Sequence, residues 1–275
     1  MSMESKGRIG ALLVALMLTG GLAQVASAGS AREQGRLLTA TEVLEEVQGM
    51  PDQRIPDALL AHAYGIAVIP DVANVAFIFG GRHGNGVMAV RSDLNGPWSN
   101  PVCVALTGGS WGLQAGVQSA DIILVFTTRR GVEGVSGGKL TLGADASVAA
   151  GPYGRQGSVN TDATFSAEIY TYARTRGLFG GIALQGSALA IDHEANADLY
   201  HQPGITASDI IAGRSPPPPD EGRRFLAQLV RVTHATAAPN ANAVPAAGKA
   251  ATPAPATTTP STSDAPRTYP LEEPK

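Results

Sequence analysis

The chain has 275 residues, 44% hydrophobic and 16% charged, with a formal net charge of −3 and a single cysteine. That length holds one or two domains. The acidic balance and the lack of any long basic run exclude a nucleic-acid surface, and one cysteine excludes an intramolecular disulfide.

Lys6 and Arg8 precede an apolar run, Ile9 to Leu18, and Ala26-Ser27-Ala28 follows. A short positive segment, an apolar core and small residues spaced for cleavage read as a secretory signal peptide over residues 1–28, cut after Ala28. The apolar run is about half of the roughly 20 residues that cross a bilayer, and no cysteine follows the cleavage site, so neither a membrane anchor nor a lipoprotein is expected. The product is periplasmic or secreted. Residues 29–36 read as a linker, 37–234 as one domain and 235–275 as a tail of Ala, Pro, Thr and Ser. That tail holds too little apolar surface to offset its ordering entropy and is expected to be disordered.

In the domain, Thr39 and Glu42 fit a capping box and Leu38 can staple against Val43. The helix they open presents Ala40, Val43, Leu44 and Val47 on one face, with Glu42, Glu45 and Glu46 off it. A second helix has Pro56 in its first turn, carries Leu59, Leu60 and Ala63, and stops at Gly65. From there the period becomes two. Ile66–Ile69, Val72–Phe79, Val87–Arg91, Trp111–Gln118 and Ile122–Thr127 read as strands, with Gly80 to Gly86 as a hairpin loop. Alternation from Leu140 to Val148 and from Phe165 to Ala173 continues the pattern, and Leu178 to Ile191 makes one or two strands more. Thr206 to Ala212 is a short helix, Pro216 to Pro219 a stiff spacer, and Asp220 caps a helix with Phe225, Leu226, Leu229 and Val232 inward. The expected fold is α+β: a curled, mainly antiparallel, Gly/Ala-rich, barrel-like sheet with helices at its N- and C-terminal ends. Cys103, between Val102 and Val104, is expected to be a small buried apolar residue.

Little in the chain promises catalysis. Gly108-Gly109-Ser110-Trp111-Gly112 fits G-x-S-x-G, with Asp145 or Asp192 and His193 or His201 downstream, but a nucleophile elbow needs a helix after its serine and a β-like run follows here. Asp192, His193, Glu194, Asp198 and His201 fall in a loop-like stretch without the ligand spacing of a zinc site. Gly80 to Gly86 lacks the Lys-Ser/Thr ending of a phosphate loop. No catalytic residue, metal or cofactor is therefore expected. The basic residues Arg129, Arg130, Lys139, Arg155, Arg174 and Arg176 all lie beside strand ends, and gathered on one rim they would form a phosphate-binding patch. Scattered, solvated charge is the alternative.

A series of motifs in order carries a family likeness. They are Ile55-Pro56 with Leu59-Leu60, Ala63 to Pro70, Gly80-Gly81 with Gly84 and Gly86-Val87, Trp98-Ser99 and Pro101, and Gly109 to Gly116 with Asp121. Arg130-Gly131-Val132, Lys139, Leu142 to Pro152, Tyr172 to Gly181, Gly186-Ser187, Asp192, Ala195-Asn196 and Tyr200 complete the series. Together they resemble the SYLF domain family. The resemblance implies a non-catalytic lipid-binding domain. Eukaryotic members bind phosphoinositides beside Src-homology or zinc-finger modules, and fungal members also bind actin. This chain differs in its export signal and in lacking those modules, so actin is an unlikely partner. Its first helix carries three Glu where membrane-binding members use a basic amphipathic helix, and acidic head groups would repel it. The reading is thus an exported bacterial-envelope protein that binds anionic phospholipid head groups through Arg129, Arg130, Lys139, Arg174 and Arg176. Alternatives are a structural or protein-interaction module of the cell surface and a serine hydrolase using Ser110.

Overall fold

The computed structural model describes residues 29–50, 54–76, 79–111, 116–152, 166–175 and 178–234. The expected signal peptide and C-terminal tail lie outside them. Helix α1 spans residues 29–48 and α2 Asp57–Ala61. Strands β1 (Gly65–Ala76), β2 (Phe79–Val90), β3 (Val102–Trp111) and β4 (Gly116–Phe126) follow. Next come α3 (Arg129–Ser136), β5 (Lys139–Thr141), β6 (Val148–Ala150), β7 (Ile169–Thr175), β8 (Leu178–Gly181) and β9 (Ser187–Ile191). Helices α4 (His193–Tyr200), α5 (Ala207–Ile211) and α6 (Asp220–His234) close the described chain. The strands form one nine-stranded sheet in the order β5-β9-β3-β2-β1-β4-β7-β6, with β8 also on β7. Every pairing is antiparallel except β6 with β7. The sheet is strongly curled, a half-barrel, with helices before and after it in sequence, as expected.

Register explains the layering. Cys103, Val87, Val68, Ile123 and Tyr172 stand opposite one another across β3, β2, β1, β4 and β7, and all are fully buried. Each side chain of this size contributes about 1.5–3 kcal/mol by leaving water. Helix α1 lies on this face, its stripe of Leu37, Ala40, Val43, Leu44 and Val47 buried as the 3.6-residue period dictates. Gly65 belongs to the opposite face, where a Cβ would stand 3.0 Å from Val132 Cγ2 of α3. At the far end of β2, buried Arg91 donates from Nε to Ala63 O (2.7 Å) and from an Nη to Ala61 O (2.9 Å), and lies over the Trp98 ring. A cation on the orphan carbonyls at the end of α2 holds that helix to the sheet.

Several expectations are corrected. Residues 29–48 are helical, so the 29–36 stretch is helix rather than a linker. Thr39 sits mid-helix, its hydroxyl donating to Gly35 O instead of capping, and Leu38 is 37% exposed, leaving no staple. Packing of Ser30 and Glu33, both buried, extends the helix past the local cap signal. The expected strand 66–69 and residues 72–76 of the next are one strand whose register shifts between Ile69 and Val72, with Asp71 at φ 49°, while Phe79 opens β2. Gly80 to Gly86 is no hairpin loop but the body of β2. A Cβ at Gly86 would lie 2.3 Å from Val68 O, so this glycine serves close backbone approach, not a turn. The strand read at 111–118 straddles the end of β3 and the start of β4. Leu140 to Val148 is not one strand but β5, a turn and β6.

Candidate binding surface

Arg129, Arg130, Lys139 and Arg174 do not share one rim. Arg129 and Arg130 open α3, whose N-cap is Thr128; its Oγ1 accepts from Gly131 N–H at 3.1 Å. Gly131, Val132 and Val135 turn inward, which leaves both arginines in solvent. Arg129 stacks over the Tyr64 ring with its guanidinium carbon 5.5 Å from the centroid. Arg130, 80% exposed, comes no closer than 3.9 Å to Glu168. Lys139, also exposed, opens β5 just beyond α3. A helix of this length spans about 12 Å, so the three cations mark the two ends of one short element.

Arg174 is elsewhere and already engaged. It stands opposite Asp121 in the β4–β7 pairing, five residues along from the Phe126–Ile169 pair that leads into α3. Its Nε and Nη2 donate to Asp121 Oδ2 at 2.8 and 2.6 Å, and Nη1 meets Glu46 of α1. This arginine ties α1 to the sheet rather than waiting for a ligand. Arg155 and Arg176 lie outside the described residues.

Where α1 crosses β3 and α4, a second charged cluster forms. Buried Glu33 receives Arg36 at 2.5 Å and Arg32 at 3.3 Å, while Asp192 and Asp198 stand 3.9 and 3.8 Å from the same two arginines. Burial pushes the Glu33 carboxyl above its ordinary value despite the two guanidiniums. Beside this network a cleft of about 390 Å³ opens between α1 and the β1–β2 pair, lined among others by Arg32, Arg36, Asp71, His83 and Asn85. Its arginines are matched by carboxylates, so the cleft offers an anion little net attraction.

The remaining candidates have structural settings. Ser110 lies within β3, paired with Gly80 of β2, and the next described element is strand β4. The strand–turn–helix context of an elbow is not found there. Asp192 is not in a loop but caps α4, its Oδ1 accepting from Ala195 N–H at 3.1 Å. His193, Glu194 and Asp198 ride on that helix, and His201 follows at φ 51°. Among the described residues no three His, Cys, Asp or Glu side chains converge as metal ligands. Helix α3 and the stacked Tyr64 were not legible in the sequence. Thr128 as a cap three residues before Gly131, with Val132 and Val135 one turn apart, was the available signal.

Residues 107–232 match the family model described as Ysc84, Las17-binding protein actin regulator. The SH3 domain-containing YSC84-like protein 1 of Rattus norvegicus is 38% identical over 169 residues, 61% of this chain and 49% of that protein. Its Homo sapiens counterpart is 37% identical, over 61% and 48%. The LAS seventeen-binding protein 3 of Saccharomyces cerevisiae is 36% identical over 171 residues, 61% of this chain and 37% of that protein. The chain thus spans about half or less of the length of the curated relatives it matches. The ordered series of motifs, the curled α+β sheet and these matches agree, and residues 107–232 carry a domain of the Ysc84, or SYLF, family.

Proposed function

We propose that this chain is an exported, non-catalytic member of the family that binds anionic phospholipid surfaces at a bacterial envelope, through Arg129, Arg130 and Lys139. One observation carries the reading. These three cations are exposed at the ends of α3, and among the described residues the only carboxylate within 4 Å of any of them is Glu168, 3.9 Å from Arg130. An acidic protein is repelled by an anionic membrane as a whole, so a local unmatched cluster has to supply the attraction, at about 1 kcal/mol per cation near the surface. Export rests on the signal-like pattern of residues 1–28.

The family description favours a second reading. It names an actin regulator, and relatives carry SH3 domains in their names, so a protein partner of that kind is the competing class. No observation supports setting actin aside. Co-sedimentation separates the two readings. The mature chain is expected to pellet with phosphatidylglycerol-containing vesicles and not with phosphatidylcholine alone. Pelleting with actin filaments but with no vesicle would overturn the lipid reading in favour of the second.

A further inference from the structure

What holds an arginine in place decides whether it can still meet a ligand. Arg174 is held by acceptors, with Nε and Nη2 on Asp121 and Nη1 on Glu46. Buried Arg91 lies over the Trp98 ring, but its Nε and one Nη are also taken by the carbonyls of Ala63 and Ala61. Both serve the fold. Arg129 is held differently. Its guanidinium carbon stands 5.5 Å from the centroid of the Tyr64 ring. Among the described residues no oxygen accepts a hydrogen bond from it, and no carboxylate lies within 4 Å. A ring attracts a cation through its π face and takes none of the five N–H donors of the guanidinium.

Tyr64 is itself firmly placed. Its side chain packs, half-buried, against the hydrophobic core. Its backbone is fastened on both sides. The N–H donates to Phe126 O of β4 at 2.7 Å, and the carbonyl accepts from Arg91 N–H at 2.8 Å. The same Phe126 ends the strand that leads to Arg129. Thr127 between them donates from N–H to Glu168 O at 2.9 Å and from Oγ1 to Ala167 O at 2.8 Å. Ring and cation are thus mounted on adjoining strand ends, which pair at Gly65 of β1 and Phe126 of β4. Arg130 has no such support. It is exposed and comes no closer than 3.9 Å to Glu168, so it keeps the rotamer freedom of a long side chain and loses it on binding. Arg129 has given up much of that freedom before a ligand arrives, and preorganisation of this kind strengthens binding without adding a contact.

We propose that Tyr64 is the positioning residue of the α3 surface: its ring holds Arg129 with every N–H donor free, and this makes Arg129 the dominant cation toward the phosphates of an anionic membrane. The proposal rests on the lipid reading above and adds to it an order among the cations. Arg129 presents a planar fork, already oriented, that suits two phosphate oxygens at once. Arg130 and Lys139 supply charge of looser placement. Tyr64 acts through Arg129 and need not touch lipid.

Co-sedimentation of the mature chain with phosphatidylglycerol-containing vesicles tests the role, with Tyr64→Leu and Tyr64→Phe made in the wild-type and Arg129→Ala backgrounds. Tyr64→Leu should weaken binding about two- to fivefold, the range of one cation–π contact at an exposed site. Tyr64→Phe keeps a ring and should retain most of the binding. In the Arg129→Ala background neither change should matter, whereas a purely structural loss at Tyr64 would lower binding in both backgrounds. The stack is read without lipid from the Arg129 Nε–H resonance, which the ring should shield in wild type and Tyr64→Phe but not in Tyr64→Leu. If leucine at 64 unfolds the chain, the exposed arginines decide alone: Arg129→Ala should lose more binding than Arg130→Ala. Wild type that binds no vesicle would remove the lipid reading and this role with it. Wild-type binding that is matched by Tyr64→Leu, an unshielded Arg129, or equal losses in Arg129→Ala and Arg130→Ala would overturn the positioning role and leave the surface standing.

Discussion

The Cys103 thiol is fully buried where β3 meets α1, and its S–H points to Glu33 Oε2 at 3.9 Å. Burial first, then the Glu33 charge, pushes its pKa far above the ordinary thiol value. The expected apolar role therefore holds, with a polar contact that Val102-Cys103-Val104 could not announce. A native-state reaction with a thiol reagent should be absent over hours and become rapid in denaturant. Quick labelling of the folded protein would contradict this placement. Glu33 beside it gives a pH signature. Its pKa is raised above the ordinary 4.5, so the folded state holds the proton more tightly than the unfolded state. The carboxylate's burial penalty is present above the raised pKa and is relieved as pH falls toward 4.5. The stability of wild type relative to Glu33→Gln should therefore rise on acidification through that window. A difference that stays flat, or falls, would show that Glu33 is not held this way.

At the scale of elements, the sequence disclosed faces better than boundaries. The apolar stripe of α1 and Phe225, Leu229 and Val232 of α6 follow the 3.6-residue period and are buried as expected, with Leu226 only partly so, because that pattern is what packing selects. The expected start of α1 at Thr39 was misread, since a local capping box there competes with burial of Glu33 and Ser30 about two turns earlier, and burial wins. Strand β3 was missed because Gly108 and Gly109 look like a break, although in register they let neighbouring chains approach. Arg174 shows the same limit among the site residues. Nothing in its spacing reveals that Asp121 comes from a strand 53 positions away. Its removal leaves Asp121, 8% exposed, short of its counter-charge. Arg174→Ala should cost about 2 kcal/mol in denaturant unfolding, whereas Arg130→Ala, on an 80% exposed side chain, should change stability by less than about 0.5 kcal/mol. Equal effects would mean that Arg174 is as free as Arg130 and belongs with the binding residues.

At the scale of the whole molecule, the class and the curl of the sheet were legible from alternating, glycine-rich strands between helices, but strand order was not. Pairing β1 between β2 and β4, and placing β5 and β6 at opposite ends of the order, are long-range choices that no local period encodes. The β4–β7 register separates Arg174 from Arg129 and Arg130 along the strands, and of the described residues in the expected rim it leaves those at the two ends of α3. In the proposed function those two ends meet an anionic membrane. It is tested most directly by co-sedimentation of wild type and Arg129→Ala/Arg130→Ala with phosphatidylglycerol-containing vesicles at low and high salt. Wild type should bind at low salt and lose binding as salt screens the surface, and the variant should bind about tenfold or more weakly at low salt with unchanged unfolding. Equal binding by the two proteins, or binding indifferent to salt, would contradict it.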